Sequence, residues 1–495
     1  MIINNENWRD CQAWKETGLK MNTTSNEACK LFDVTLSQYI GWYDNEKYGG
    51  IEGSLNSMLH ADENFIMGHV LKNGIDLIGS SSYLNNPFCY DSVKNLTKLA
   101  NKLSASLTKS ELCHVDAIKS LYQGNVLKAC DYWETILVEN PTDILALKFA
   151  HDMYFYLGQH AQMRDSIARV LPSWESSTPL YSYVHGMHSF GLAQSNFFAE
   201  AEKAALKSLE LNKHDAWATH TLCHLFEYKN DFNSGIKFLR ETESDWSVCN
   251  VLSPHNYWHL ALYHLERNEH EICLSLFDEY ISGYLNQNRT LDLVDLASLL
   301  FRLKLDGCKL ALEERWSKLR DVFKSRVGDH AYTFNDCHVL MILSACKDSE
   351  RKVEFYKSLE AYLNTDKENS MEVQVDSCNN LVENENSLDY LKRVSRQLPA
   401  VSIFDALCHF DNGEFGEVVD KLYPIRYDLV KIGGSNAQRD VFHQILTQSA
   451  LRADSKYHNR VGLALLNERL ALKPNSNLNK RLAARFASIH HGSEL

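Results

Sequence analysis

The stretch AIKSLYQGNVLKACDYWETILVENP, residues 117–141, predicts two helices joined by a tight turn. It places small residues, an aromatic residue and a proline at fixed intervals: Ala117, Gly124, Ala129, Trp133 and Pro141. The two alanines allow paired helices to approach closely, and the glycine separates two apolar-periodic segments. The tryptophan fills the gap to a following unit, and the proline stops the second helix because it has no backbone N–H to donate.

Turn-forming residues continue this unit along the chain at spacings of 34, 38, 34 and 38 residues. They are Gly124, Gly158, Asn196, Asn230 and Asn268. A period of about 34 residues is that of tetratricopeptide helix-turn-helix repeats, and four extra residues make about one helical turn. The spacing therefore predicts an all-α fold, a right-handed α-solenoid of degenerate tetratricopeptide-like helix-turn-helix repeats.

The same patterns divide the chain into five regions, because the repeat match, the helical periodicity and the polar composition change along it. The regions are 1–105 (N-terminal helical region), 106–290 (tetratricopeptide-like repeats), 291–363 (further helical repeats), 364–387 (polar loop) and 388–495 (C-terminal helical repeats or cap). In the last region, Gly413 marks one more repeat turn.

Composition excludes some functions and favours a location. The 495 residues are 44% hydrophobic and 23% charged, which is ordinary for a soluble folded protein. A formal charge of −13 argues against nucleic acid or an anionic membrane as a partner, since both require a basic surface. The 13 scattered cysteines contain no Cys-x-x-Cys pair, and no apolar run reaches the length of a membrane span. These features predict a cytoplasmic protein with reduced thiols.

One predicted helix carries a stripe of polar and aromatic residues. With Asn230 at repeat position 15, Trp217, His220, His224 and Glu227 fall at positions 2, 5, 9 and 12, which line the concave side of such repeats. At 100° per residue, the two histidines and the glutamate lie within about 60° of one another. The pattern therefore predicts that they face a groove.

Other repeats add polar residues at comparable places. His255 and His259 are one helical turn apart in the next repeat. Asp152 occupies position 9 two repeats earlier, and His338 lies farther along in a segment with the same helical periodicity. We take all of these as candidates for lining the groove. His151 differs, because it falls at the close-packed position 8 and is predicted to be structural.

Two functions remain open for this groove. One is a scaffold or adaptor that binds a peptide or partner protein, with the histidines making ordinary hydrogen bonds. The other is an enzyme or small-molecule binder, because two His-x3-His pairs on adjacent helices suit a divalent transition metal or acid–base work. In that reading the metal ligands or acid–base groups are His220, His224, His255 and His259, with Glu227 as their carboxylate.

A glycine-rich segment near the C-terminus has two readings as well. Gly433–Asn436 predicts the end of one helix and the cap of the next, and its backbone N–H groups could alternatively hold an anion. The cap alone accounts for the segment, which makes Arg439 a surface or ion-pairing residue.

Several long blocks resemble the tetratricopeptide repeat protein 38 family, and the resemblance extends from about residue 9 to 485. The blocks are Arg9–Trp14, Thr23–Phe32, Gly49–Gly53, Pro141–Asp143, Phe149–Asp152, His255–His259, Phe334–His338, Gly433–Asp440 and Leu472–Ser476. The resemblance implies a soluble α-helical repeat protein and attaches no activity to the candidate histidines. The polar segment 364–387 departs from the family pattern.

Overall fold

The computed structural model describes residues 7–78, 87–287, 289–364 and 399–490. Throughout these ranges the regular structure is helical, without a strand. The chain is all-α and consists of helix-turn-helix units in series, so the predicted α-solenoid fold class is confirmed. Apart from residue 364, the predicted polar loop lies outside the described residues, and the five-region division stays a prediction.

The helices of the N-terminal half are mostly 11–17 residues long and come in consecutive pairs. They are α1 Cys11–Glu16, α2 Asn26–Gly41, α3 Gly50–Ala61, α4 Ile66–Leu77, α5 Pro87–Leu103, α6 Lys109–Tyr122, α7 Val126–Glu139, α8 Ile144–Tyr156, α9 His160–Val170, α10 Tyr181–Gln194, α11 Phe198–Leu211 and α12 Ala216–Lys229.

The pairing continues in the C-terminal half. These helices are α13 Phe232–Glu241, α14 Glu243–Trp246, α15 Leu252–Glu266, α16 His270–Leu276, α17 Thr290–Asp306, α18 Glu313–Phe323, α19 Thr333–Ala345, α20 Ser349–Asn364, α21 Ala400–Asn412, α22 Phe415–Leu422, α23 Asn436–Arg452, α24 Lys456–Leu472 and α25 Asn477–His490. Among the helices of the described residues, none combines the length and apolar composition required to cross a bilayer.

The described residues form two compact units. The first unit contains residues 7–78, 87–221 and 244–253, and the second contains 222–243, 254–287, 289–364 and 399–490. Each unit is described separately below.

The predicted repeat turns share one backbone geometry. The φ angle is positive at all five: Gly124 (76°), Gly158 (66°), Asn196 (66°), Asn230 (55°) and Asn268 (63°). In each turn the next residue's N–H donates to the carbonyl five residues before it, at 2.7–3.0 Å. This arrangement satisfies a carbonyl at the end of the first helix, and glycine and asparagine tolerate the left-handed conformation best. The repeat assignment is confirmed at each of these turns.

The same turn recurs beyond the predicted series. Gly307, Lys347 and Gly413 have φ angles of 82°, 54° and 77°, and each is followed by the same backbone hydrogen bond. The sequence identifies Gly413, but a lysine carries no turn signal, which hides one of these units. The helix-turn-helix pattern therefore continues through the second unit.

Packing in the stretch 117–141 follows its sequence. Ala117, Ala129 and Trp133 are fully buried, and the Trp133 ring lies 5.4 Å from that of Phe149 in the next helix. Helix α7 ends two residues before Pro141. The small residues and the aromatic residue thus have the packing roles that their repeat positions predict.

Candidate functional site

In the first unit, two groove candidates belong to a buried ion pair. The ammonium of Lys148, a fully buried residue, pairs with the carboxylate of Asp152, which also accepts a 3.0 Å hydrogen bond from the Tyr39 hydroxyl. The ammonium lies 5.0, 5.0 and 4.7 Å from the ring centroids of Tyr39, Trp42 and Trp217. Asp152 and Trp217 are therefore both engaged by a cation from the chain itself; Asp152 is buried, whereas Trp217 is partly exposed.

Burial and charge oppose each other within this pair. Burial lowers the pKa of Lys148, and the charge of Asp152 acts in the opposite direction. Burial would raise the pKa of Asp152, but the adjacent ammonium holds it below its ordinary value. The opposite charges of the pair therefore offset part of the cost of burying each group inside the aromatic cage.

The two histidines near this cage are buried as well. His151 packs against Phe190 and Trp217, at ring distances of 6.2 and 6.0 Å, and burial lowers its pKa. Its predicted structural role is confirmed. His220 packs against Phe190 at 4.9 Å and is 3% exposed, so it too lies in the interior.

The second unit contains three buried imidazoles in contact, which we call the imidazole cluster: His224, His255 and His259. The ring of His259 lies 4.6 Å from that of His224 and 4.9 Å from that of His255. The indole of Trp258 stacks on His255 at 5.1 Å, with 13° between the planes. The sequence spacing thus brings three of the four predicted metal ligands together within this unit.

An acidic residue that the sequence analysis missed orients the cluster. The Nδ1 atom of His255 lies 2.5 Å from Oδ2 of Asp295 in α17, and both side chains are buried. The contact assigns the proton to Nδ1 and the imidazole lone pair to Nε2. A carboxylate in this position fixes both the tautomer and the ring orientation, as it does behind a metal-ligating or proton-transferring histidine.

The glycine-rich segment supports Asp295 through a helix cap. Ser435 and Gln438 form a capping box at the start of α23, so the side-chain oxygen of Gln438 accepts the Ser435 N–H at 3.0 Å. The amide nitrogen of Gln438 then donates to Oδ1 of Asp295 at 3.0 Å. The cap, as the sequence predicts, accounts for Gly433–Asn436, and it also aims a donor at the carboxylate that holds His255.

A buried arginine also contacts the ring of Trp258. The guanidinium of Arg302 lies 5.4 Å from the indole centroid, and its Nη2 donates to the carbonyls of Ala437 and Gln438 at 2.7 and 3.2 Å. Burial lowers the pKa of Arg302 to about 10, so the group stays charged at neutral pH. Helices α17 and α23 are thereby joined directly behind the cluster.

The glutamate that the sequence assigned to the histidines has another partner. Glu227 accepts a 2.9 Å hydrogen bond from Lys473, and the two residues line a cavity of about 30 Å³ with Arg302 and Asp440. That volume is close to the share of one water molecule in the liquid, so an organic ligand does not fit. Asp295 is bonded to a cluster imidazole, whereas Glu227 pairs with Lys473, so the assignment of Glu227 to the histidines stays a prediction.

Two further predictions also change. His338 is fully buried against Phe334 and Phe442, donates from Nδ1 to the Phe334 carbonyl at 2.7 Å, and has its pKa lowered to about 4 by burial. It is therefore a neutral packing residue. Arg439 was expected at the surface or in an ion pair, but it is buried and donates to the carbonyls of Gly433 and Gly434.

A signal for Asp295 exists in the sequence of α17. Besides Thr290 and the exposed Lys304, this helix carries polar residues three or four apart, and the structure buries them: Asp292, Asp295, Ser298, Arg302 and Asp306. A polar stripe inside an otherwise apolar helix indicates partners within the protein. The stripe does not say which residues those partners are.

The fold defines the class of protein: an all-α helical-repeat protein of the tetratricopeptide type. No protein-family model matches the chain. Among solved structures, the chain is similar to one titled "Structure of Naa15/Naa10 bound to HypK-THB", with 11% identity, coverage of 94% of this chain and 81% of that chain, and a TM-score of 0.26. Such a likeness transfers no activity and no partner. Membership of the tetratricopeptide repeat protein 38 family stays a prediction.

Proposed function

We propose that this helical-repeat protein binds a divalent transition metal ion through its clustered histidines. The observation that carries the proposal is the 2.5 Å contact between His255 Nδ1 and the buried carboxylate of Asp295. Metal-ligating histidines usually donate their second ring N–H to such a carboxylate, which raises the basicity of the coordinating nitrogen. We assign His255 and His259 as ligands, with His224 in the same unit as the further ligand that the sequence spacing predicts.

Ring spacing supports this assignment. With metal–nitrogen bonds of about 2.0–2.1 Å and angles of about 90–110° at the ion, two coordinated imidazoles have ring centroids roughly 4.5–5.2 Å apart. The His259 ring lies 4.6 and 4.9 Å from its two neighbours in the cluster. Each of the two ring pairs that share His259 therefore has a centroid separation that two ligands of one ion would have.

Binding of a peptide or partner protein is the alternative for the groove. It requires side chains that an incoming chain can reach. Asp152, His220, His255, His259 and His338 are all less than 9% exposed, which disfavours them as peptide contacts. The scaffold role therefore stays a prediction for other surfaces, and the buried imidazoles favour a metal or small molecule.

Metal content measured on purified, tag-free full-length protein tests the proposal. The protein is stripped with a chelator, reloaded with zinc, cobalt or nickel, desalted, and analysed by mass spectrometry of the metals. We expect about one ion per chain in the wild type and less than about a tenth in the variant His255→Ala/His259→Ala. Less than about a tenth in the reloaded wild type, or equal loading of the variant, would refute the site.

A matched control separates loss of ligands from loss of structure. His114 in the first unit is a fully buried imidazole whose Nε2 lies 3.1 Å from Asp143, so it repeats the acid–imidazole contact outside the cluster. The variant His114→Ala should retain metal at the wild-type level. When bound, an ion at the cluster would act as a Lewis acid if one coordination position stays open, or would be structural if protein ligands fill all four positions.

A further inference from the structure

Two cysteines of the first unit are in direct contact through their sulfur atoms. The Sγ atom of Cys11, the first residue of α1, lies 3.3 Å from the Sγ atom of Cys29 in α2. A disulfide bond joins two sulfurs at about 2.05 Å, so the pair needs to approach by only roughly 1.3 Å. The cysteines are 18 residues apart in the chain, a spacing without the Cys-x-x-Cys signal.

Hydrogen bonds on both sides hold the Cys11 segment along one face of α2. The backbone N–H of Cys11 donates to Oδ1 of Asn26 at 3.2 Å, about one turn before Cys29. The guanidinium of Arg9 donates to the carboxylate of Asp33, about one turn after Cys29, at 3.1 and 2.5 Å. Helix positions 26, 29 and 33 are three and four residues apart, so they share a face. The two sulfurs are therefore held together from both sides, which favours a bond between them.

The two thiols differ in their access to solvent. Cys11 is partly exposed, whereas Cys29 is fully buried. Burial raises the pKa of the Cys29 thiol well above its ordinary value, and the contact with Cys11 acts in the same direction. An oxidant in solution reacts with an accessible thiolate, not with a buried thiol. Cys11 is therefore the sulfur that an oxidant reaches first, and Cys29 is a protonated thiol beside it.

We propose that Cys11 and Cys29 form a reversible redox site that hydrogen peroxide oxidises to a disulfide. The Cys11 thiolate attacks one peroxide oxygen and the O–O bond breaks. The departing oxygen takes up a proton and leaves as water, and Cys11 becomes a sulfenic acid. The Cys29 sulfur then attacks the Cys11 sulfur, and the Cys29 proton leaves with the hydroxyl group as a second water.

The balance of this reaction is two thiols and one peroxide giving one disulfide and two waters. The sulfurs together lose two electrons, which the peroxide accepts. The bond ties α1 to α2, and a dithiol reductant reverses it by thiol–disulfide exchange. Both cysteines belong to the first unit, so the redox site is separate from the imidazole cluster of the second.

Peptide mapping of the reduced full-length protein, before and after treatment with hydrogen peroxide, tests the proposal. The remaining thiols are alkylated, and the protein is digested with trypsin in the absence of reductant. Trypsin places the two cysteines in separate peptides, residues 10–15 and 21–30. We expect a species that joins these two peptides after peroxide and disappears on addition of dithiothreitol. Failure to find it after peroxide, or linkage of Cys11 to a different cysteine, would overturn the proposal.

Two variants assign the role of each thiol. Cys29→Ser removes the thiol that closes the disulfide, so the sulfenic acid should accumulate and dimedone should label Cys11 several-fold more than in the wild type. Cys11→Ser leaves the buried thiol alone, and Cys29 should then escape oxidation. Circular dichroism reports folding, and Cys29→Ala replaces Cys29→Ser if the buried hydroxyl prevents it. Equal labelling of Cys11 in the wild type and in a folded Cys29 variant would contradict the assignment.

A cysteine of the second unit provides the matched control. Cys408 is also partly exposed, and its sulfur lies 3.2 Å from the hydroxyl oxygen of Tyr356. Cys408→Ser should form the linkage between peptides 10–15 and 21–30 at the wild-type level. Loss of the linkage in this variant would show that the oxidation depends on another thiol, against the assignment of Cys11.

Discussion

The two units each bury an acidic residue beside a basic one. Comparing the two pairs indicates which of them is suited only to packing and which is also suited to binding a ligand. In the first unit, Asp152 pairs with the ammonium of Lys148, which lies among three aromatic rings. In the second, Asp295 meets the imidazole of His255, which is neutral or charged according to what its other nitrogen holds. We call Lys148–Asp152 the closed pair, because each group already has its partner. We call His255–Asp295 the open pair, because its oriented imidazole can take up a proton or a metal.

Sequence position does not distinguish these outcomes. Asp152 and His224 both occupy position 9 of their repeats, and both are predicted to face the groove. Asp152 forms an ion pair with Lys148, while the ring of His224 contacts that of His259. The partner that each residue meets therefore decides its role, and the following experiments test that statement, from the largest expected effect to the smallest.

The lysine of the closed pair should be indispensable to the first unit. Replacing Lys148 by Met leaves Asp152 buried without its cation, so we expect the free energy of unfolding to fall by about 3–5 kcal/mol. Urea unfolding followed by circular dichroism measures the loss. Lys148→Met/Asp152→Leu should regain part of it, because an apolar pair leaves no buried charge.

A surface pair provides the control for this effect. Lys207 and Glu210 also form an ion pair, at 3.0 Å, but their side chains are exposed. Lys207→Met should change stability by less than about 1 kcal/mol. If Lys148→Met were as mild as Lys207→Met, the cage around Lys148 would not depend on the ion pair.

The acid of the open pair should act on metal binding. Asp295→Asn keeps the side-chain shape but removes the charge behind His255, so we expect the metal affinity to fall by about 10–100-fold. Competition with a chromophoric chelator measures the affinity of the folded variant. Asp143→Asn removes the equivalent charge behind His114 and should leave the affinity unchanged. Equal affinities for wild type and Asp295→Asn would remove Asp295 from the proposed site.

His338 tests whether a buried histidine outside the cluster is structural. Burial lowers its pKa to about 4, below the ordinary value near 6.5. Between these pH values the imidazole is protonated in the unfolded chain but not in the folded protein. The contribution of the neutral His338 imidazole to the free energy of unfolding is complete above pH 6.5 and is lost as the pH falls toward 4. Between pH 7 and pH 5 it should decrease by about 2 kcal/mol.

The variant His338→Leu removes this titration. Its stability should depend less steeply on pH than that of the wild type over the same interval, as measured by urea unfolding at pH 7, 6 and 5. Parallel pH profiles for the two proteins would mean that His338 is protonated in the folded state, in conflict with its burial between two phenylalanines.

How far the sequence could predict these features depends on how local each one is. Most repeat turns are readable because a left-handed residue is usually glycine or asparagine, and Lys347 is hidden because it is neither. The side-chain pairs are not readable. Tyr39 is 113 residues from Asp152, and Gln438 is 143 residues from Asp295. Helical periodicity places each polar residue on a buried or exposed face, but it does not choose among distant partners.

The smallest expected effect links the helix cap to the open pair. Ser435→Ala removes the hydroxyl that accepts the Gln438 N–H at 3.2 Å, and loss of such a cap costs about 1 kcal/mol of stability. The Gln438 side chain then loses part of what aims its amide at Asp295, so the metal affinity should also fall, by less than in Asp295→Asn. Chemical unfolding and chelator competition measure the two effects on the same preparation.

The cap of α24 separates stability from orientation. Ser455 accepts the N–H of Tyr457 at 3.2 Å, so Ser455→Ala should lower stability by a similar amount, although α24 supplies no residue to the Asp295 contact. Metal affinity that falls in Ser435→Ala but not in Ser455→Ala would show that the cap acts through Gln438. Equal falls in metal affinity would show that general destabilisation of the second unit is the cause. The closed and open pairs would then differ only in the charge of the basic residue, Lys148 or His255, beside each aspartate.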